Sequence, residues 1–264
     1  MLDVFALVRR IAPHFRSVLV SGPTGTGNEL VARALHQMSP VRAKPFVVCN
    51  CAAIVETLFE SELFGHVRGS LPARPKIGRG TSNRLTAAHF FWTKSVKSRS
   101  KCRPNFSAHC KSGEFQRVGS SAMRRVSVRA IAATNGDLRA MVRAQEFRED
   151  LFFRLSMLEI QLPPLSDRRE DLPLLCRHFI DHFARQTDKE VCGLTQRAQM
   201  ALSRYSWPGN IRELENIIGH ACMMTEKDLI DVGDLPEYVR SRNDPNRGPD
   251  PEHRVSLFHA AEAD

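Results

Sequence analysis

The sequence predicts an α/β fold, a parallel sheet flanked by helices and built around a phosphate-binding loop, with a small all-helical subdomain after it. Three observations carry that expectation. The apolar run SVLVS, residues 17–21, leads straight into the glycine-rich GPTGTGNE and then into the helically spaced ELVARALHQM. Short apolar runs bounded by turn residues then alternate with helical patterns as far as residue 165, which is the mark of a parallel sheet. From residue 169 the apolar spacing is helical throughout.

Each element has its own reason. VFALVRRIA, residues 4–12, spaces its apolar side chains as an amphipathic helix does, and SVLVS is a short buried strand. In the loop that follows, Gly22, Gly25 and Gly27 let backbone N–H groups turn toward anionic oxygens, while the next helix points its positive end at them. Pro23, Thr24, Thr26, Asn28 and Glu29 complete the loop. Strand, glycine loop and helix in succession are the context that nucleotide binding requires, at the carboxyl ends of the strands. A purely structural turn is the alternative. Asn28 stands where such loops carry a lysine, and an amide cannot supply the positive charge that balances the β- and γ-phosphates. A charge-assisted contact of that kind is worth about 1.5–3 kcal/mol. Binding can survive its loss better than the hydrolytic step, in which charge redistributes.

FVVCN, residues 46–50, reads as a second strand, and VETLFESELFG, residues 55–65, as a helix closed by Gly65. Order then fails until GEFQRVGS at residues 113–120. VSVRAIAATN, residues 126–135, is a buried strand ending in a polar residue, and DLRAMV and FREDLFFRL are helical stretches. LEIQLPPL is a strand stopped by Pro163 and Pro164. Residues 1–167 therefore form the α/β core, 168–240 a helical lid, and 241–264 a polar, proline-bearing linker with a short tail.

Composition narrows the function classes. A chain of 264 residues, 42% hydrophobic, suffices for one sizeable domain and a smaller one. No apolar stretch reaches membrane-spanning length, and the opening MLDVFALVRR lacks a cleavable signal pattern. Seven cysteines at irregular spacing suggest reduced thiols in a cytoplasmic protein. Cys49 and Cys51 have no second pair at zinc spacing, so they read as small buried residues and no metal site is expected. The net charge of +9 has a single source: residues 70–111 hold ten Lys or Arg and no acid, and the charges elsewhere nearly cancel. A basic nucleic-acid-binding segment is one reading of that stretch.

The phrases GPTGTGNELVARALHQMSP, KPFVVCNCAAIVETLFESELFGH, GEFQRVGS, VRAIAATNGDLRAMV, FREDLFFRLSMLEIQLPPLSDRREDLPLL and YSWPGNIRELEN support another. Together they resemble the central AAA+ ATPase domain of bacterial enhancer-binding proteins, the sigma-54-dependent transcriptional activators related to nitrogen regulatory protein C. The resemblance covers residue 4 to about residue 240, apart from the disordered text between. It implies ATP as ligand, Mg²⁺ as its companion ion, a ring homo-oligomer, and sigma-54 RNA polymerase as partner, with no direct DNA contact by this domain and no membrane. It also implies residue roles. Asn50 matches a polar switch residue that contacts the catalytic glutamate, and Asn135 matches the sensor of the γ-phosphate. Arg148 and Arg154 match finger arginines that reach into a neighbouring subunit, and Arg212 matches a lid arginine that touches nucleotide. Each has a plainer alternative: Asn135 as a cap for the helix at Asp137, Arg148 as a surface ion pair, and Arg212 as a solvated position off the apolar stripe of Ile211, Leu214 and Ile218.

The family carries two features that this sequence lacks: a GAFTGA loop that contacts sigma-54, and a Walker B strand ending in Asp-Glu. The genetic code suggests where they went. Read from the third base of each codon, HFFWTKSV at residues 89–96 permits F-F-L-D-E-I-G, and the aspartate is forced because tryptophan has one codon. The same frame permits F-T-G-A over residues 70–74, F-E-Q-A over 81–85 and K-L-L-R-A-L-Q over 104–111. Two compensating frame changes, near residues 70 and 111, account for the basic, acid-free stretch. A lysine-rich replacement cannot be buried in mid-sheet, so either the sheet closes with a gap or the stretch forms a disordered loop, and AHFFW, which holds its only apolar run, is the most that is expected to pair as a strand. The expectation is an AAA+ domain without ATPase activity, a pseudoenzyme. A non-catalytic nucleotide- or partner-binding remnant, or a nucleic-acid binder, are the alternatives. No helix-turn-helix is seen after Pro251 and no regulatory domain before Val4.

Overall fold

A computed structural model describes residues 1–50, 61, 65–67, 70, 89–93, 114–125 and 129–241. Most of the helix expected at residues 55–65, most of the basic stretch and the tail lie outside the described residues. The chain divides into two compact units, Met1–Pro164 and Leu165–Asp264.

The first unit holds a five-stranded sheet in the order β2-β3-β6-β1-β7, parallel throughout. Its strands are β1 (Ser17–Ser21), β2 (Phe46–Asn50), β3 (His89–Thr93), β6 (Arg129–Thr134) and β7 (Glu159–Gln161). Strand β1 lies between β6 and β7, with Val18 opposite Ile131 and Val20 opposite both Ala133 and Ile160. That interior position explains its unbroken apolar sequence. Helices α1 (Leu2–Ile11) and α2 (Asn28–Gln37) cover one face, where Val8, Ile11, Phe15, Val31 and Leu35 close over Val18, Val20, Ile131 and Ile160. Leu19 and Ala132 alternate to the other face, against which α4 (Glu149–Leu155) buries Leu151, Phe152 and Leu155. The short α3 (Leu138–Arg143) precedes it. Arg129 fastens the end of α1 to the sheet: its guanidinium donates to the carbonyls of Ala12 and Pro13, both at 3.1 Å, and lies 5.3 Å from the Phe15 ring.

Strand β3 is the HFFWT run. It pairs with β2 from Phe46↔His89 to Asn50↔Thr93, and with β6 from His89↔Arg129 to Trp92↔Ala132. A short antiparallel hairpin, β4 (Glu114–Gln116) and β5 (Met123–Arg125), follows, where the sequence pattern predicts no strands.

The second unit is built on α5 (Leu172–Thr187), α6 (Gln196–Arg204), α7 (Asn210–Met224) and α8 (Glu237–Ser241). It is not purely helical, since β8 (Gly193–Leu194) and β9 (Leu229–Ile230) form a two-residue parallel ladder too short to leave a period in the sequence. Trp207 anchors the core, fully buried, with its indole N–H donating to the Leu202 carbonyl at 3.1 Å and its ring edge-on to Tyr205. Lys189 caps the end of α7, its Nζ donating to the carbonyls of Cys222, Met223 and Thr225 at 3.2, 2.7 and 2.9 Å. No described helix is long and apolar enough to cross a membrane.

Candidate nucleotide-binding loop

The loop begins where β1 ends. Gly22 N–H donates to the Thr134 carbonyl at 3.2 Å, extending the β1–β6 ladder by one bond, and the Leu162 N–H donates to the Ser21 carbonyl at 2.7 Å on the other side. Gly22 is thus held between two strands. A Cβ there would meet Leu162 Cβ at 2.9 Å and the Leu162 carbonyl oxygen at 3.0 Å, so only glycine fits. Gly25 and Gly27 adopt φ of 83° and 101°, the left-handed region that side chains disfavour. Thr26 is buried and ties the turn, its hydroxyl donating to the Pro23 carbonyl at 2.8 Å.

Gly27 is also the N-cap of α2, and no side chain caps the helix. The N–H groups of Gly25, Gly27 and Asn28 have no hydrogen-bond partner among the described residues. A glycine loop with open amides at a helix N-terminus is an anion cradle. Glu29 lies in the first turn and pairs with Arg33 at 2.7 Å, both half exposed. The Asn28 side chain turns back on the loop, its Nδ2 donating to the Gly22 carbonyl at 3.2 Å, with Oδ1 3.4 Å from the Thr26 hydroxyl.

Asn135 follows the last residue of β6. Its Nδ2 donates to Thr24 Oγ1 at 2.8 Å, joining the end of β6 to the loop across 111 residues of sequence. It does not cap α3, which Asp137 does by accepting the Ala140 N–H at 3.0 Å. Thr24 and Asn135 are both candidates from the sequence, but their bond becomes visible only once β1 and β6 are paired.

The other site residues are scattered. Asn50 ends β2, opposite Thr93 of β3 in the register. Arg148 is the N-cap of α4, and its Nε lies 2.9 Å from Asp150 Oδ1 while Nη2 lies 3.2 Å from Oδ2. Arg154 is half-buried in the last turn of α4, without an ion-pair partner among the described residues. Arg212 belongs to the second unit, exposed near the start of α7, while Leu214 and Ile218 on the same helix are buried. Among the described residues no group of three or more His, Cys, Asp or Glu could hold a metal ion.

Comparison with known proteins places this geometry in a family. Residues 1–161 match the Sigma-54 interaction domain and residues 166–251 the AAA+ ATPase lid domain. The chain is 40% identical over 240 residues to the regulatory protein AtoC of Escherichia coli, covering 91% of this chain and 52% of AtoC. It is 40% identical over 239 residues to the DNA-binding transcriptional regulator NtrC of Klebsiella pneumoniae, covering 90% and 51%. Among solved structures, NtrX from Brucella abortus in complex with ATP superposes with a TM-score of 0.82 at 30% identity, covering 96% of this chain and 56% of NtrX. The ADP complex of NtrX gives 0.80. The chain belongs to the sigma-54 interaction domain family of transcriptional activators, with the AAA+ fold. It spans about half the length of the curated relatives it matches.

Proposed function

We propose that this chain is the nucleotide-binding domain of a sigma-54-dependent activator that holds nucleoside phosphate but does not hydrolyse it. The observation that carries the reading is at position 28, where an amide bonded to Gly22 stands in place of a phosphate-binding lysine. The cradle itself fits nucleotide: Gly22, Gly25 and Gly27 shape it, the α2 N-terminus faces it with open amides, and NtrX, similar over nearly the whole chain, is seen with both ATP and ADP. The residues do not fit Mg²⁺ and water activation. The His89–Thr93 strand, between β2 and β6, contains no carboxylate to hold the ion or activate water. Asn50, Arg148, Arg154 and Arg212 remain assigned by resemblance as switch, fingers and lid contact. With Arg148 held by Asp150, a finger role would require that pair to open.

The position of β3 supports the two frame changes. It occupies an interior strand of the sheet, and the shifted reading of the same codons ends that strand in Asp-Glu. The sigma-54 contact loop falls in the same altered stretch, so engagement of sigma-54 RNA polymerase is weakened or lost, and a ring homo-oligomer rests on the resemblance alone. On this reading the basic stretch is no nucleic-acid site, and the domain works in the cytoplasm. Two experiments test it. Equilibrium dialysis of the purified chain against labelled ATP is expected to retain nucleotide, and no retention would refute the cradle. The gene's nucleotide sequence, read in three frames, is expected to show F-F-L-D-E-I-G out of frame across codons 89–96; its absence would refute the frame changes.

A further inference from the structure

The loop's two amide side chains carry a consequence for which nucleotide it prefers. In loops of this type the backbone N–H groups cradle the inner phosphates, while the lysine reaches the outer ones. Here most of the inner set is available: the amides of Gly25, Gly27 and Asn28 are open among the described residues, while the Thr26 N–H donates to the Pro23 carbonyl at 3.3 Å. The outer set is tied to the protein. Asn28 Nδ2 is bonded to the Gly22 carbonyl at 3.2 Å, and Asn135 Nδ2 to Thr24 Oγ1 at 2.8 Å. Both bonds run within the loop or from the neighbouring strand end to it, and both brace it without an anion. We infer that Asn28 and the Asn135–Thr24 clasp together make the loop indifferent to a terminal phosphate, so that it takes a nucleoside diphosphate as tightly as a triphosphate.

This rests on the cradle proposed above and adds its ligand preference. Asn28 is the specificity-determining residue. It lacks the cation that would reward the extra charge of a triphosphate, and its own amide is turned toward the start of the loop. Thr24 acts through Asn135 as a positioning residue. Its hydroxyl holds the Asn135 amide, just past the end of β6, which could otherwise turn to a third phosphate.

Isothermal titration of the whole chain with ADP and with ATP, without magnesium, tests the inference. The two are expected to bind within about threefold of each other, under 1 kcal/mol in binding free energy. Asn28→Lys is expected to favour ATP over ADP by about tenfold or more, the range of one charge-assisted bond. Thr24→Ala, which releases Asn135, is expected to favour ATP by about two- to tenfold, the range of one neutral hydrogen bond. It decides the matter if the lysine variant fails to fold by circular dichroism. ATP binding tenfold tighter than ADP in the unaltered chain, or both variants leaving the ratio unchanged, would overturn the inference and leave the cradle standing. Binding of neither nucleotide would overturn the cradle and the inference together.

Discussion

Gly22→Ala is the sharpest probe of how the loop is seated. The added methyl would sit 2.9 Å from Leu162 Cβ, 3.0 Å from the Leu162 carbonyl oxygen and 3.0 Å from Thr26 Oγ1. None of these yields easily. Leu162 is 1% exposed and its N–H is bonded to Ser21, while the Thr26 hydroxyl is bonded to Pro23. The strain must therefore spread β1 from the chain after β7, at a cost of about 1–3 kcal/mol for an overpacked site. Gly136→Ala is the control, three residues past the β1–β6 partner Ala133. Its new methyl would find nothing closer than 3.8 Å, at a φ outside the left-handed region. That change should be neutral or should stabilise by about 0.4–1 kcal/mol through the unfolded chain. Hydrogen–deuterium exchange of the peptide covering residues 17–27 reads the difference. Opening should become about five- to 150-fold more frequent in Gly22→Ala, the equivalent of 1–3 kcal/mol, and no more frequent in Gly136→Ala. Equal exchange in the two variants would refute the packing account of the loop.

Three other outcomes follow from the same contacts. Trp207→Ala should cost about 3–5 kcal/mol in the second unit, measured by urea unfolding, because it empties the core and strips the Leu202 carbonyl of its donor; a loss below about 1 kcal/mol would contradict the anchor role. Burial of His36 lowers its pKa below the ordinary 6.5, against a smaller upward pull from its backbone bond with Arg42. The unfolded chain then binds the proton first, so stability contributed by neutral His36 is present above pH 6.5 and is lost as pH falls through the depressed folded value. Comparing thermal midpoints of the parent and His36→Gln between pH 7.5 and 5 should show the parent falling more steeply; parallel slopes would be the contrary result. Burial pushes the Cys176 thiol up to about 12 and raises Cys222 as well, whereas Cys192 is exposed. Mapping of maleimide adducts on the native protein should find Cys192 labelled and the other two modified only after denaturation; early modification of Cys176 would contradict its burial.

Much of the core was legible in the sequence because its signals are local. SVLVS and FVVCN are strands with the bounds expected, since each is a short apolar run bracketed by turn-forming or polar residues. The α2 helix starts one residue earlier than its apolar spacing indicates, because Gly27 with its positive φ sets the cap. Other features had no local signal. The β4–β5 hairpin has strands of three residues, too few for a period to register. The β8–β9 ladder joins segments some thirty-five residues apart, within a stretch otherwise helical in spacing. At the site, glycine spacing identified the loop, but the direction of the Asn28 amide depends on the loop's closed shape. The Asn135–Thr24 bond depends on strand pairing, and the pairing of Arg148 with Asp150 on a helix cap that puts both on the same turn.

The central claim is that the cradle holds its guest and leaves it whole. Its most direct test is phosphate release by the purified chain with saturating ATP and Mg²⁺, run beside the same chain after Asn28→Lys. No release above the protein-free background is expected from either, since restoring the cation does not restore the carboxylates missing from β3. Magnesium-dependent turnover by the unaltered chain would contradict the account.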